Sequence, residues 1–424
     1  MPLRDTMKTK EKAVLFGVRT GNRGIIDDCT DDSMEELALL ADTAGAEVLG
    51  VFVQNRPAAD RATYVGEGKA EEIRLFCEEN GAGLAVCDDE LSGMQVRNLE
   101  NALGTRVIDR SALIMDIFAQ SAKTREGQLQ VELAQLRYFL PRLTGSFTGM
   151  SRQAGGGGIG GARRGPGETK LETDRRHIRS RIQAVVEQLR EVERHRATQR
   201  RQRVKEGIQQ IAIVGYTNAG KSTLLNRLTD AGVLARDSLF ATLDPTAKKL
   251  TLPDGTNALL IDTVGLIRKL PHHLIKAFKS TLEEAVGADV LLHVADASSS
   301  QLAENLAVVE DLLTRLGAAD KPIVTAFNKT DLPRGDSVPQ FRAGSVNISA
   351  KTGAGVDALL HALCGAMPEQ RKRVTVLVPY GEGNLVSLLH ETALVKNARH
   401  TENGTLLDVV VDSKGLAIVS DYIV

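Results

Sequence analysis

Tryptophan is absent from the 424 residues, and aromatic side chains make up only 4% of them. So small a supply of rings argues against recognition of a partner by many aromatic stacks. The four cysteines, Cys29, Cys77, Cys87 and Cys364, form no CxxC pair. Neither a disulfide framework nor a cysteine-based zinc site is expected, and the reading is a chain of the reducing cytoplasm with buried thiols. No stretch approaches the roughly 20 uninterrupted apolar residues of a membrane span, so no membrane insertion is expected. The charged first residues lead only into a short apolar run at 13–18, which has the length of a strand rather than of a signal-peptide core. What is present is ordinary globular material, 42% hydrophobic and 25% charged. At about 150 residues per domain the length suggests about three domains.

The balance of charge is uneven along the chain. Residues 152–205 hold 15 basic and 6 acidic side chains, so the total of −1 divides into +9 for this segment and −10 for the remainder. A basic element in an otherwise acidic chain is the footprint of polyanion binding, although a solvated, arginine-rich helix face would look the same.

Periodicity divides the chain into four parts. Over 1–122, strand-like runs at 13–18, 47–53, 84–87 and 106–108 alternate with helical patterns at 33–44, 69–79 and 92–103. This alternation indicates an α/β domain with a largely parallel sheet. Over 123–206, Leu129, Leu133, Leu136, Leu140 and Leu143 recur with heptad spacing, as do Leu171, Ile178, Ile182, Val185, Leu189 and Val192. Two narrow seams joined in sequence predict an antiparallel helical hairpin in which each seam buries the other. Six glycines among residues 155–161 connect the two helices, flanked by Arg152, Arg163, Arg164 and Lys170. A plain linker does not require those cations, and a nucleic-acid-contacting tip accounts for them.

A second α/β pattern, with a mostly parallel sheet, covers 207–370: strands at 211–214, 258–261, 290–295 and 323–327, and helices at 222–228, 302–316 and 356–363. The remainder, 371–424, reads as a small α+β domain with strands at 374–378 and 406–411, a turn at 402–404 and a helix at 385–391.

The third part carries the chemistry. Gly215, Tyr216, Thr217, Asn218, Ala219, Gly220, Lys221 and Ser222, continuing into Thr223, follow a strand and open a helix, the context a P-loop requires. Backbone N–H groups there turn toward phosphates, Lys221 reaches the β- and γ-phosphates, and the Ser222 hydroxyl ligates Mg²⁺. Asp262, Thr263, Val264 and Gly265 stand at a strand end 41 residues after Lys221. Asp262 would hold the Mg²⁺ through its water shell, and the Gly265 N–H would touch the γ-phosphate. Asn328, Lys329 and Asp331 form a base-recognition loop. The Asp331 carboxylate can accept both guanine N1–H and N2–H, a pair adenine does not offer, for a preference of about hundreds-fold. Ser349, Ala350 and Lys351 match the element that closes over guanine O6. Between the P-loop and Asp262 lies Phe240, Ala241, Thr242, Leu243, Asp244. Thr242 is the first choice, and Thr246 the second, for a threonine that meets Mg²⁺ and the γ-phosphate only with the triphosphate bound. The residues expected to carry hydrolysis are Lys221, Thr242 and Gly265. Leu266 stands where many small GTPases place a water-orienting Gln. Asn218 has two readings, a ligand of a monovalent cation such as K⁺ or a loop-bracing amide.

These motifs, with YVGEGKAEEI at 64–73, QVELAQLRY at 130–138, RRGPGETKLETDRR at 163–176 and FATLDP at 240–245, resemble the HflX family of translational GTPases over nearly the whole chain. Leu266 departs from the Phe usual there but stays apolar. The resemblance implies an N-terminal α/β domain, a helical hairpin, a GTPase domain and a short C-terminal domain. It also implies a monomer that turns over GTP to GDP and binds the large ribosomal subunit. Some members split stalled ribosomes under stress, with the hairpin loop approaching rRNA; Arg152, Arg163, Arg164 and Lys170 would then bind phosphates. Some members use ATP at the N-terminal domain, whereas Gly66, Glu67, Gly68 and Lys69 on their own read as a turn before a helix. Two other readings stay open: a GTP-gated adaptor for a protein partner, and an ATP-driven RNA remodeller.

Overall fold

The computed structural model describes residues 10–21, 29–143, 166–205, 209–229, 239–240, 246–255, 257–269, 274, 286–333, 344–367, 372–411 and 413–424. The N-terminal part runs β1 (Glu11–Arg19), α1 (Asp31–Ala44), β2 (Ala46–Asn55), α2 (Glu67–Asn80), β3 (Leu84–Cys87), α3 (Gly93–Leu103), β4 (Arg106–Asp109) and α4 (Arg110–Ser121). Its sheet has the order β2-β1-β3-β4, parallel throughout. Side chains cap the helices where the sequence supplies them. Thr30 accepts from the Ser33 N–H at the start of α1, Ser92 and Gln95 form a reciprocal box at α3, and Asp109 accepts from the Ala112 N–H at α4. The apolar cores of the strands are covered on both faces, with α2 and α3 on one side and α1 and α4 on the other. Helix α4 escaped the sequence reading because seven of its twelve residues are buried and no polar stripe marks a helical period.

The hairpin consists of α5 (Arg125–Arg142) and the 40-residue α6 (Pro166–Lys205). Leu129 and Leu133 of α5 meet Val185 and Leu189 of α6, flanked by Leu136, Ile182 and Val186, as the heptads predict. Arg181 grips Glu132 across the pair, with Nε at 2.5 Å and Nη2 at 3.0 Å. One expectation needs correction. The seam of α5 does not suffice for that helix, which has a second buried face: Val131, Ala134 and Tyr138 join the core of the first domain. Its last turn is anchored there too, where Arg142 donates to Asp109 Oδ2 (2.9 Å) and the Leu91 carbonyl (2.6 Å). The hairpin is thus rooted in the N-terminal domain.

Next come β5 (Gln209–Val214), α7 (Lys221–Thr229), β6 (Thr246–Thr251), β7 (Asn257–Asp262), β8 (Val290–Asp296), α8 (Leu302–Arg315), β9 (Ile323–Asn328), β10 (Ser345–Asn347) and α9 (Val356–Ala366). The sheet order is β10-β9-β8-β5-β7-β6, parallel except for the edge strand β6. Strand β6 has no apolar run, and pairing with β7 rather than its own composition makes it a strand. The C-terminal part has β11 (Lys372–Val378), α10 (Gly383–Thr392), β12 (Leu394–Thr401), β13 (Gly404–Val411) and α11 (Ser413–Val419), with the antiparallel order β11-β13-β12. The turn expected at 402–404 closes the β12–β13 hairpin. Among the described residues no helix is long and apolar enough to cross a membrane.

Candidate nucleotide-binding site

The loop between β5 and α7 is shaped by close backbone approaches. Gly215 sits at φ +156°, and a Cβ there would lie 2.2 Å from the Val294 carbonyl oxygen of β8. At Gly220, φ +92°, a Cβ would lie 2.2 Å from the Asn328 amide nitrogen. Both positions therefore require glycine. The Lys221 ammonium donates to the carbonyls of Gly215 (3.0 Å) and Tyr216 (2.7 Å). Burial pulls its pKa down to about 8, against the opposing pull of Asp262. Asn218 takes a left-handed backbone, φ +60°, which Asn tolerates better than most residues. Its exposed amide braces nothing among the described residues, so backbone shape accounts for the residue type there without the bracing role.

Asp262, fully buried at the end of β7, stands beside Ser222, whose hydroxyl donates to Asp262 Oδ2 at 3.2 Å. Thr263 turns away and donates to the Ile213 carbonyl at 2.6 Å, holding the strand end against β5. Gly265 lies close to the lysine, since a Cβ there would be 3.1 Å from Lys221 Nζ. Leu266 pairs with the P-loop through its backbone, Leu266 N–H to Gly215 O at 3.1 Å and Thr217 N–H to Leu266 O at 2.8 Å. Its side chain points into the core beneath the sheet, among Val214, Leu291, Val309 and Leu312. The Leu266 side chain belongs to the core.

The base-recognition residues converge from β9 and the loop after β10. Asn328 joins them to the P-loop: its amide donates to the Ala219 carbonyl (2.8 Å) while its carbonyl accepts from the Ala350 N–H (2.8 Å). Asp331 accepts from the Ser349 hydroxyl at 2.7 Å, and this bond first of all holds its carboxyl below the usual range. Lys329, at φ +64°, pairs with Asp296 at 2.7 Å. Lys351 is exposed beside them.

Two expected site residues are placed elsewhere. Phe240, expected beside the nucleotide, is buried in the N-terminal core with its ring 4.6 Å from that of Phe118. Tyr216 contributes its backbone to the P-loop, but its hydroxyl donates to Glu36 of α1 at 2.5 Å and accepts from the Arg268 N–H at 2.9 Å. Ala241, Thr242, Leu243 and Asp244 lie outside the described residues, as do Arg152, Arg163 and Arg164; Lys170 lies within α6. Thr246 is the first residue of β6.

A set of residues with no motif of their own completes the site. Glu36 pairs with Arg110, Arg110 with Asp88 (2.8 Å), and Asp88 with Lys269 (2.5 Å), which also reaches Asp89 (2.7 Å). Burial opposes these charges, but their mutual attraction outweighs it, leaving Asp88 below and Lys269 above their ordinary pKa values. The loop after Gly265 is thereby held to the N-terminal domain by buried ion pairs and by Val264 and Ile267 packed in its core. No local pattern announces the pairs of Lys269, whose members lie about 180 residues apart.

Three family models match consecutive stretches: "GTP-binding GTPase N-terminal" over residues 31–119, "GTP-binding GTPase Middle Region" over 121–203, and "50S ribosome-binding GTPase" over 210–329. The chain is 46% identical over 419 residues to GTPase HflX of Caldanaerobacter subterraneus subsp. tengcongensis, covering 99% of this chain and 92% of that protein. It is 43% identical over 380 residues to GTPase HflX of Escherichia coli, covering 88% of each. Among solved structures, a GTP-binding protein from Sulfolobus solfataricus in complex with GDP aligns with 84% of this chain and 98% of its own, at 23% identity and a TM-score of 0.45.

Proposed function

We propose, since this chain belongs to the HflX family of GTPases, that its GTP cycle gates docking of the helical hairpin onto RNA of the large ribosomal subunit. The chain is a GTP hydrolase. In the proposed cycle the guanine base is read by Asp331, with Asn328, Lys329, Ser349, Ala350 and Lys351 around it. The P-loop N–H groups and Lys221 hold the phosphates. Ser222 would hold Mg²⁺, with Asp262 acting through the ion's water shell; a hydroxyl and a carboxylate within 3.2 Å suit a hard cation that keeps most of its waters and binds phosphate oxygens. That ion would neutralise charge developing between the β- and γ-phosphates. Gly265, Thr242 and the loop to Lys269 would sense the γ-phosphate.

One observation carries the ribosomal reading. Among its described residues helix α6 buries Val185 and Leu189 against α5, and α5 is rooted in the same domain that grips the loop after Gly265. Movement of that loop therefore bears on the root of the hairpin. Dissociation of stalled ribosomes would be the outcome of such docking.

The test is co-sedimentation with large subunits and a non-hydrolysable GTP analogue over a salt series. It compares the full chain with a variant carrying Arg152→Ala, Arg163→Ala, Arg164→Ala and Lys170→Ala. Each lost phosphate contact lowers the log–log salt slope by about 0.7–0.9, so the variant's slope falls by about 3. An unchanged slope and affinity would exclude the hairpin tip as the RNA contact.

A further inference from the structure

The core position of Leu266 leaves hydrolysis without the residue that commonly orients water, and two positions later stands Arg268. Arg268 has its Nε and Nη2 buried without a hydrogen-bond partner. Buried guanidinium nitrogens are seldom left so, because the lost hydration is costly. The backbone of Arg268 is fixed against the P-loop by the bond from its N–H to the Tyr216 hydroxyl. Its side chain lines a cavity of about 210 Å³ together with Thr217, Asn218 and Ala219 of the P-loop. The neighbouring cations are taken: Lys269 by Asp88 and Asp89, Arg110 by Glu36 and Asp88, Lys329 by Asp296. The carboxylates of Asp32 and Glu35 border the same cavity but are not within hydrogen-bond distance of Arg268, and Glu36 is engaged by Arg110 and Tyr216.

We propose that Arg268 is a catalytic residue of this GTPase, an arginine acting in cis that binds the oxygens of the γ-phosphoryl group as it transfers to water. This deepens the GTP-hydrolase reading and does not depend on the ribosomal one. In the step, the oxygen of water bonds to the γ-phosphorus as the bond from that phosphorus to the β–γ bridging oxygen breaks. GDP leaves with that electron pair, and the water's protons pass to inorganic phosphate and solvent. Negative charge on the transferring oxygens meets the guanidinium, turned into the cavity that it borders, whose planar fork suits paired phosphate oxygens. Arginines in this role contribute about 10³–10⁵ in kcat.

The experiment uses the full-length chain without subunits and compares Arg268→Ala and Arg268→Lys with the unaltered protein and with Lys221→Ala. Single-turnover hydrolysis and binding of a fluorescent GDP, with and without aluminium fluoride, are measured. For Arg268→Ala the expected result is a rate lowered by at least about 10²-fold. GDP affinity stays within about threefold, aluminium fluoride no longer tightens GDP binding, and Arg268→Lys recovers part of the rate. A rate within about threefold of the unaltered protein overturns the proposal, as does a loss of GDP affinity as large as the loss of rate. If instead the unaltered protein shows no turnover beyond that of Lys221→Ala, the hydrolase reading itself fails, which is a separate result.

Discussion

Replacing Asp88 by Asn tests whether buried charge ties the loop after Gly265 to the N-terminal domain. Asp88 is fully buried and accepts from Arg110 (2.8 Å), Lys269 (2.5 Å) and Ser33 (2.8 Å). The side chains of Arg110 and Lys269 are only 2% and 9% exposed, so water cannot replace the lost carboxylate. Removing one partner of a buried pair costs about 3–5 kcal/mol. Arg110 keeps Glu36 and Lys269 keeps Asp89, which places the expected loss near the lower bound, about 3 kcal/mol. At 1.4 kcal/mol per decade, opening of the loop becomes about a hundredfold more frequent. The assay is hydrogen exchange at the amides of Leu266 and Arg268, whose bonds to Gly215 O and the Tyr216 hydroxyl break when the loop leaves. Exchange accelerated about a hundredfold is the expected outcome, with partial recovery in Asp88→Asn/Lys269→Met, where the uncompensated ammonium is gone. Protection within about threefold of the unaltered protein, or no recovery in the double variant, would refute the claim that these charges hold the loop.

Two further outcomes follow from the same geometry. Asp331→Ala should cost at least about a hundredfold in GTP affinity while leaving ATP binding unchanged, because both lost bonds go to donors that only guanine carries; competition with a fluorescent GDP measures it. The interdomain contact should also depend on pH. The lowered pKa of Asp88 means its contribution is complete above about pH 4 and lost as pH falls through the folded value; the raised pKa of Lys269 means its contribution is complete below about pH 10 and lost as pH rises through the folded value. Exchange at Leu266 and Arg268, corrected for intrinsic rates, should therefore be flat between these limits and rise outside them.

The sequence by itself determined the elements whose cause is local. Short continuous apolar runs specified β1, β3, β5 and β8, heptad spacing specified the α5–α6 seam, and the glycines at 215 and 220 with Lys221 and Ser222 specified a phosphate loop. In each case a few neighbouring residues contain the whole physical reason, whether a short unbroken apolar run, a seam of leucines or a backbone too crowded for a Cβ. Tertiary structure alone decided which surfaces those elements share. It made β6 a strand by offering it β7, gave α5 a second buried face, packed Phe240 against Phe118, and turned Leu266 into the core. It also brought Asp88 and Asp89 to Lys269 and left Nε and Nη2 of Arg268 buried without a hydrogen-bond partner. The energy of a buried charge depends on what surrounds it in space, and residues about 180 positions apart become neighbours only once both sheets and the core between them have formed.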